Sequence, residues 1–254
     1  MSDPKHKVTL HSILNRRVLI CVFTGFASGL PLYLLLQLIP AWLRAAEVSL
    51  VEIGLFSLVG LPYAWKFVWA PMLDRWVLPL GLRRGWMLLT QILLIGCIGA
   101  LGYIDPAQNL SGVVALSVAI ALFSATQDIA IDAYRRELLP DEEWGLGNSV
   151  HVQAYRIAGL VPGSLSLILA DQLPWVWVFW ITAAFMLVGV LLSLSISEPD
   201  RAPPKNTGLK ATVLEPFQEY GARRGWRGLT LILFFMVAFK LGDNMATALA
   251  MPFY

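Results

Sequence analysis

Seven stretches of mostly apolar residues follow one another between Arg17 and Tyr254, and each is roughly twenty residues long. An α-helix of about twenty apolar residues is the length that crosses the hydrocarbon core of a bilayer. The pattern therefore predicts an all-α membrane protein. The predicted spans cover residues 18–40, 51–71, 86–104, 112–132, 146–170, 175–197 and 228–250.

The composition supports this prediction. Hydrophobic residues make up 57% of the chain and charged residues 14%, and the mean hydropathy is +0.65. Soluble globular domains contain about 25% charged residues, so a soluble protein is excluded and the lipid bilayer is the expected partner. The formal net charge of +2 is small, and it predicts no nucleic-acid partner.

The distribution of lysine and arginine predicts the orientation. With a cytoplasmic N-terminus, one cation outside the spans, Arg44, lies on the far side, and all the others lie on the cytoplasmic side. Cytoplasmic loops are enriched in positive charge. The cytoplasmic set is Lys5, Lys7, Arg16, Arg17, Arg75, Arg83, Arg84, Arg135, Arg136, Arg201, Lys205, Lys210, Arg223, Arg224 and Arg227.

One long polar segment divides the chain. We expect a cytoplasmic N-terminus (1–17), six spans (18–197), a connector (198–227) and a seventh span that runs to the end (228–254). The connector also contains an amphipathic stretch that is suited to the membrane surface. The apolar residues of that stretch are Leu209, Val213, Leu214 and Phe217.

This layout resembles the major facilitator superfamily, whose six-span halves each contain two inverted three-span repeats. The resemblance implies a six-helix N-terminal bundle plus the first helix of a second bundle, so we expect a fragment or a truncated product. In such a fold the first span of each repeat lines the central cavity, and spans three and six are expected to be uncharged, as residues 86–104 and 175–197 are. A complete seven-span receptor-like protein is the alternative.

Isolated charges inside the other spans predict a transport function. An ionisable group at membrane depth is costly, and such groups usually face a water-filled path or a charged partner. Lys66 lies near a span end, where its side chain can reach the interface. The other charges in the middles of spans are Asp128, Arg156, Lys240 and Asp243.

Spans four and five supply the main candidates. Asp128 and Asp132 share one helical face with Ser117, Ala121 and Ser124. Two carboxylates one turn apart favour protonation of one of them, so Asp128 is a candidate proton carrier. The alternative for Asp132 is a solvated pair with the neighbouring arginines.

Arg156 shares a face of span five with Gln153, and Gly159 and Gly163 continue that face as a helix-packing step. Arg156 requires a counter-charge, and we predict an ion pair with Asp128 on span four. A purely structural ion pair is the competing interpretation. In span seven, Lys240 and Asp243 are three residues apart and are able to pair within one helix.

The loop between spans two and three carries the pairs Asp74-Arg75 and Arg83-Arg84. An acidic residue there can cap a helix N-terminus, and arginines can bind carboxylates, so the loop is predicted to act as a conformational latch. The alternative is a basic loop that only sets the topology.

We expect no enzyme chemistry, metal or cofactor, because the sequence contains no His-Cys cluster, phosphate-binding glycine loop or Ser-His-Asp arrangement. Its two cysteines, Cys21 and Cys97, lie in different spans and are expected to be free thiols.

Several segments together resemble the AmpG-type muropeptide permeases, a family within this superfamily. They are Gly25–Pro31, Ile53–Gly60, Lys66–Arg75 leading into Arg83–Trp86, the Gln127-Asp128-Ile129 string that continues to Asp132-Ala133, and Lys240–Asp243. The resemblance implies a bacterial inner-membrane symporter that imports anhydromuropeptides with protons for peptidoglycan recycling.

On this resemblance, Arg156 and Lys240 would meet the carboxylates of a small glycopeptide, and Asp128 or Asp243 would carry the proton. Gln127, Gln153 and Asp132 complete the expected pathway. Two alternatives stay open: a membrane-embedded binding or regulatory remnant that does not transport, and a transporter of the related acetyl-CoA branch.

Overall fold

The computed structural model describes residues 15–199, 218–223, 225–236 and 238–239. Among these residues, six helices are long and apolar enough to cross a membrane, so the first six predicted spans are confirmed. They are α1 (Arg16–Ala45), α2 (Leu50–Val68), α3 (Leu82–Leu101), α4 (Leu110–Leu138), α5 (Asp141–Ala170) and α6 (Trp175–Ser195).

Several helices extend beyond the apolar stretches that predicted them. Helix α4 continues to Leu138, and its last turn carries Arg135 and Arg136; helix α5 begins with three acidic residues from Asp141 onward. Cations at a helix C-terminus and anions at an N-terminus interact favourably with the helix dipole. The hydropathy pattern ends at the first charges, whereas the helices continue through them.

The chain divides into two compact units, which are residues 1–63 with 77–201 and residues 64–76 with 202–254. In the second unit, the described elements include the short helix Ala70–Leu73 and the apolar helix Gly225–Met236. The amphipathic stretch, Lys240, Asp243 and most of the predicted seventh span lie outside the described residues.

Within the first unit, helices α1 and α5 pack closely through glycines on both sides. A Cβ atom on Gly29 would lie 2.3 Å from the carbonyl oxygen of Tyr155, and one on Gly25 would lie equally close to the carbonyl of His151. In return, the α5 residue Gly159 accommodates the ring of Tyr33. The prediction that these glycines serve helix packing is confirmed.

Both helices also contain a wider turn next to a proline. In α1 the π-helical segment Leu34–Leu38 is followed directly by Ile39 and Pro40, and Pro162 lies inside the π-helical segment Val161–Leu165 of α5. Proline removes a backbone donor and disturbs the hydrogen bonds of the preceding turn. The two irregular segments therefore have a local cause in the sequence.

Polar contacts join the helices inside the apolar core. The hydroxyl of Ser193 on α6 donates to Gln91 Oε1 on α3 at 3.0 Å, and Ser166 on α5 bonds Thr182 on α6 at 2.7 Å. Both cysteines are free, as expected. The surrounding core is apolar and includes Leu30, Leu34, Leu38, Leu94, Ile98, Val113, Ile120, Val178 and Phe179.

Candidate functional site

Helices α1, α4 and α5 line an open cavity of about 370 Å³. Its described lining contains residues of neither α3 nor α6, which agrees with the uncharged character predicted for those two spans. The lining consists of Ser28, Tyr33, Asp128, Asp132, Arg135, Asn148, His151, Val152, Tyr155 and Arg156.

Asp128 lies at the wall of this cavity and is 8% exposed. The hydroxyl of Ser28 on α1 donates to its Oδ1 at 2.5 Å, the length of a charge-assisted hydrogen bond. The predicted face of α4 is confirmed as an inward one, because Ser117, Ala121 and Ser124 are all buried. One carboxylate is thus held at membrane depth and faces an open space.

Asp132 and Arg135 form an ion pair one turn further along α4. Arg135 Nη2 lies 2.7 Å from Asp132 Oδ1, and its Nη1 donates to Asn148 Oδ1 at 3.1 Å. The pairing agrees with the alternative interpretation of Asp132. However, the arginine is buried rather than solvated, with 5% exposure, and its guanidinium lies 5.8 Å from the ring centre of Trp144.

Arg156 lines the cavity and is exposed. It makes no ion pair or hydrogen bond with the residues that the structure describes, so the predicted direct pair with Asp128 is wrong. The packing of α1 against both α4 and α5 explains the difference, because it brings the Ser28 hydroxyl to the aspartate. Asp128 and Arg156 share the cavity without bonding to each other.

Two further predicted residues lie apart from the cavity lining. Gln127 is fully buried, and its Nε2 donates to the carbonyl oxygen of Ala27 at 3.1 Å, which joins α4 to α1. Gln153 is exposed on α5 and is not one of the lining residues. The roles of Lys240 and Asp243 remain predictions, because these residues lie outside the described part of the chain.

The sequence pattern missed several lining residues on α5. Asn148, His151 and Tyr155 lie at three- and four-residue steps and share one face that Arg156 borders. His151 is 6% exposed, with Nδ1 3.4 Å from the Thr24 hydroxyl. The three- and four-residue periodicity that grouped the α4 residues also predicts this face of α5. The face was missed because Asn148, His151 and Tyr155 carry no formal charge.

A second charged cluster, the Arg83 cluster, joins the start of α3 to the ends of α4 and α6. Arg83 is 3% exposed, and its Nη2 lies 2.8 Å from Glu137 Oε1. The carboxylate of Glu198 accepts from the backbone N–H groups of Arg83 at 2.6 Å and Arg84 at 3.1 Å. The Arg84 guanidinium donates to the carbonyls of Ser193 and Leu194 at 3.1 Å each.

The local backbone requires glycine at the beginning of α3. Gly81 has φ of 115°, and a Cβ there would lie 2.6 Å from Glu198 Oε2. The carboxylate of Glu198 caps this helix. Asp74 and Arg75 follow the helix Ala70–Leu73 in the other compact unit, and their latch role stays a prediction.

Comparison with known proteins shows which family this chain belongs to. A model described as Major Facilitator Superfamily matches residues 21–254. The anhydromuropeptide permease of Escherichia coli is 41% identical over 93% of this chain and 48% of its own length. An uncharacterized Haemophilus influenzae protein is 45% identical over 95% of the chain and 57% of its own length.

A putative transporter AmpG 4 of Rickettsia conorii is 28% identical over 91% of this chain and 58% of its own length. The chain thus spans about half the length of the curated relatives it matches. The resemblance to AmpG-type permeases and the six-helix architecture predicted from sequence are confirmed. The alternative of a seven-span receptor-like protein is wrong.

Proposed function

The chain belongs to the major facilitator superfamily, and we propose that it acts in the proton-coupled import of anhydromuropeptides across the bacterial inner membrane. Membrane transport is the activity of the superfamily, and the similarity to an anhydromuropeptide permease supports the substrate class. We further propose a cytoplasmic N-terminus, which is supported by the lysine and arginine distribution.

The cavity between α1, α4 and α5 is the observation that carries this proposal. It brings two cations, Arg135 and Arg156, and two carboxylates, Asp128 and Asp132, to one open space, and Asp128 and Arg156 lie inside predicted spans. Transporters of this type bind their substrates near the bilayer midplane. A charged space of this kind suits a polar solute and is unsuited to a purely structural core.

The chemistry of an anhydromuropeptide matches these groups. Its peptide carboxylates need cationic donors, and Arg156 presents a guanidinium that binds none of the described residues. Its sugar hydroxyls need neutral donors and acceptors, which Asn148 and the phenols of Tyr33 and Tyr155 provide. Asp128 would then carry the coupled proton, because it is a carboxylate within a span that faces the cavity.

Uptake into right-side-out membrane vesicles tests the proposal. Labelled anhydromuropeptide should accumulate when the outside is more acidic, and a protonophore should abolish the accumulation. Excess unlabelled anhydromuropeptide should compete, and acetyl-CoA should not. Arg136→Gln serves as a control variant that should leave this uptake unchanged, because Arg136 pairs with Asp141 at the surface.

Two results would contradict the proposal. Binding of the labelled solute without any accumulation would favour a non-transporting binding remnant. Competition by acetyl-CoA alone would place the chain in the related branch that transports that cofactor.

A further inference from the structure

His151 on α5 is a lining residue of the cavity to which the proposed function gives no role. It is 6% exposed, yet it lines the cavity between α1, α4 and α5. An imidazole has two ring nitrogens, and buried polar atoms nearly always have a hydrogen-bond partner. The partners of these two nitrogens therefore decide what the side chain presents to the cavity.

The absence of a side chain at Gly25 brings α1 close to His151. A Cβ atom on Gly25 would lie 2.3 Å from the carbonyl oxygen of His151, so any larger residue would clash there. The close approach places the imidazole Nδ1 3.4 Å from the hydroxyl of Thr24, which is itself fully buried. The ring is thus held against α1 by its Nδ1 side.

The hydrogen bonds of Thr24 assign the proton of the ring. The Thr24 hydroxyl donates its one hydrogen to the carbonyl oxygen of Cys21 at 3.1 Å, so it offers lone pairs alone to Nδ1. The Cys21 carbonyl, which lies beside that hydroxyl, also accepts a hydrogen bond from the imidazole. Two acceptors on the Nδ1 side require the N–H of the ring to be on Nδ1, an assignment that follows from the bonding network.

The other ring nitrogen, Nε2, presents a lone pair to the cavity. His151 makes no further hydrogen bond, and no ion pair with a carboxylate, among the residues that the structure describes. Buried charges are normally paired, so the ring is neutral and Nε2 is an acceptor. Nε2 does not belong to the fully buried atoms that lack a partner, so it is open to the cavity that His151 lines.

We propose that His151 is a specificity-determining residue whose Nε2 accepts a hydrogen bond from a hydroxyl or amide N–H of the sugar part of the substrate. This proposal rests on the proposed function and deepens it. Asn148 and Tyr155, the neutral groups of α5 assigned to the sugar, lie about one turn to either side of His151 on the same face. The sugar hydroxyls and amides are uncharged and suit a neutral acceptor, whereas the peptide carboxylates suit Arg156.

Nitrogen-15 NMR tests the assignment without any change in the cavity. His6→Gln and His11→Gln leave His151 as the one labelled histidine of the purified protein in detergent. At neutral pH the ring should give a protonated signal from Nδ1 and an unprotonated signal from Nε2. The probe is the anhydro-disaccharide part of the substrate, amidated so that it carries no charge. At saturation it should move the Nε2 signal toward the protonated position and leave the Nδ1 signal in place.

Three NMR results would overturn the proposal. They are a proton on Nε2 of the free protein, an imidazolium with protons on both nitrogens, and an Nε2 signal that the disaccharide does not move.

Two substitutions at His151 separate the acceptor from the rest of the ring. Glutamine places its side-chain oxygen near the position of Nε2, whereas asparagine reaches the position of Nδ1 alone. His151→Asn should weaken binding of the amidated disaccharide about threefold to tenfold, the factor of one neutral hydrogen bond. His151→Gln should retain most of the affinity, and binding of the free peptide should be unchanged in both variants. The control on the same helix is Ser149→Ala, which removes an exposed hydroxyl that donates to the Gly145 carbonyl.

The outcomes separate this inference from the proposed function. Equal losses in the two His151 variants, or a loss confined to the free peptide, would overturn the inference. Thermal unfolding shows whether each variant is folded, and the NMR signals decide alone where one is not. Binding of the disaccharide at His151 without accumulation of the whole anhydromuropeptide would contradict the proposed function and leave the inference intact. Accumulation with an unmoved Nε2 signal would do the reverse.

Discussion

The Arg83 cluster and the cavity around Asp128 use the same residue types for different purposes. Arg83 is buried against Glu137, and the capping carboxylate of Glu198 binds the first turn of α3. Arg156 is exposed to a cavity and binds none of the described residues. Charges with bonded partners stabilise the helix bundle, whereas charges that face an open space are available to a substrate.

The comparison predicts the largest loss of stability at Arg83. Arg83→Ala leaves the Glu137 carboxylate without its buried partner, and such a change costs about 3 kcal/mol or more of unfolding free energy. Thermal unfolding of the purified protein in detergent measures it. Arg136→Ala is the control, because both members of its ion pair are exposed and little change is expected. Equal effects at the two arginines would contradict this reading of the cluster.

A smaller loss is expected where α1 meets α5. Gly29→Ala places a Cβ about 2.3 Å from the Tyr155 carbonyl oxygen, and overpacking of this kind typically costs about 1–3 kcal/mol. Gly96→Ala on α3 has nothing within 4 Å of the added carbon and should be neutral or stabilising. The same unfolding assay compares the two variants, and a harmless Gly29→Ala would show that α1 and α5 are packed less closely than described.

The Glu198 cap of α3 is expected to contribute still less to the free energy of unfolding. Glu198→Leu removes the acceptor of two backbone N–H groups at the start of α3, and loss of a cap costs about 1 kcal/mol. Glu198→Gln keeps an acceptor oxygen and should lose less. Loss of equal size in both variants would mean that the charge, and not the hydrogen bonds, holds α3.

At Arg156 the expected loss of stability is the smallest and the effect on function is large. Arg156→Gln removes no described bond, so the midpoint of unfolding should stay within error. The substrate concentration for half-maximal uptake should rise about tenfold or more, since hydrogen bonds to charged groups contribute about 1.5–3 kcal/mol. Reduced stability with unchanged uptake would make Arg156 a structural residue.

Length and hydropathy were sufficient to predict the six helices, because the bilayer imposes a minimum apolar length on every span. The isolated charges at Asp128 and Arg156 were equally visible, since any ionisable group in a span stands out. Both were placed in the same cavity by the structure. The architecture and the centre of the site are thus encoded in simple patterns.

The partners of these charges were not predictable in the same way. The direct Asp128–Arg156 pair is absent, and the hydroxyl of Ser28 on α1 donates to Asp128. Which residues of neighbouring helices meet depends on packing that no single helix pattern contains. Arg135 lies beyond the predicted end of span four but on the same helix. Glu198 lies in the loop after α6, where no periodicity marks it.

Asp128→Asn is the most direct test of the central claim that the cavity around Asp128 performs proton-coupled transport. The amide keeps the shape and the acceptor oxygen for Ser28 but does not carry a proton. Asp141→Asn, at an exposed ion pair, is the control. The measurement is acid-driven accumulation of labelled anhydromuropeptide in vesicles, alongside exchange at equal pH and the amount of folded protein. The account predicts normal abundance and exchange with accumulation abolished, and accumulation equal to that of the unmodified protein would contradict it.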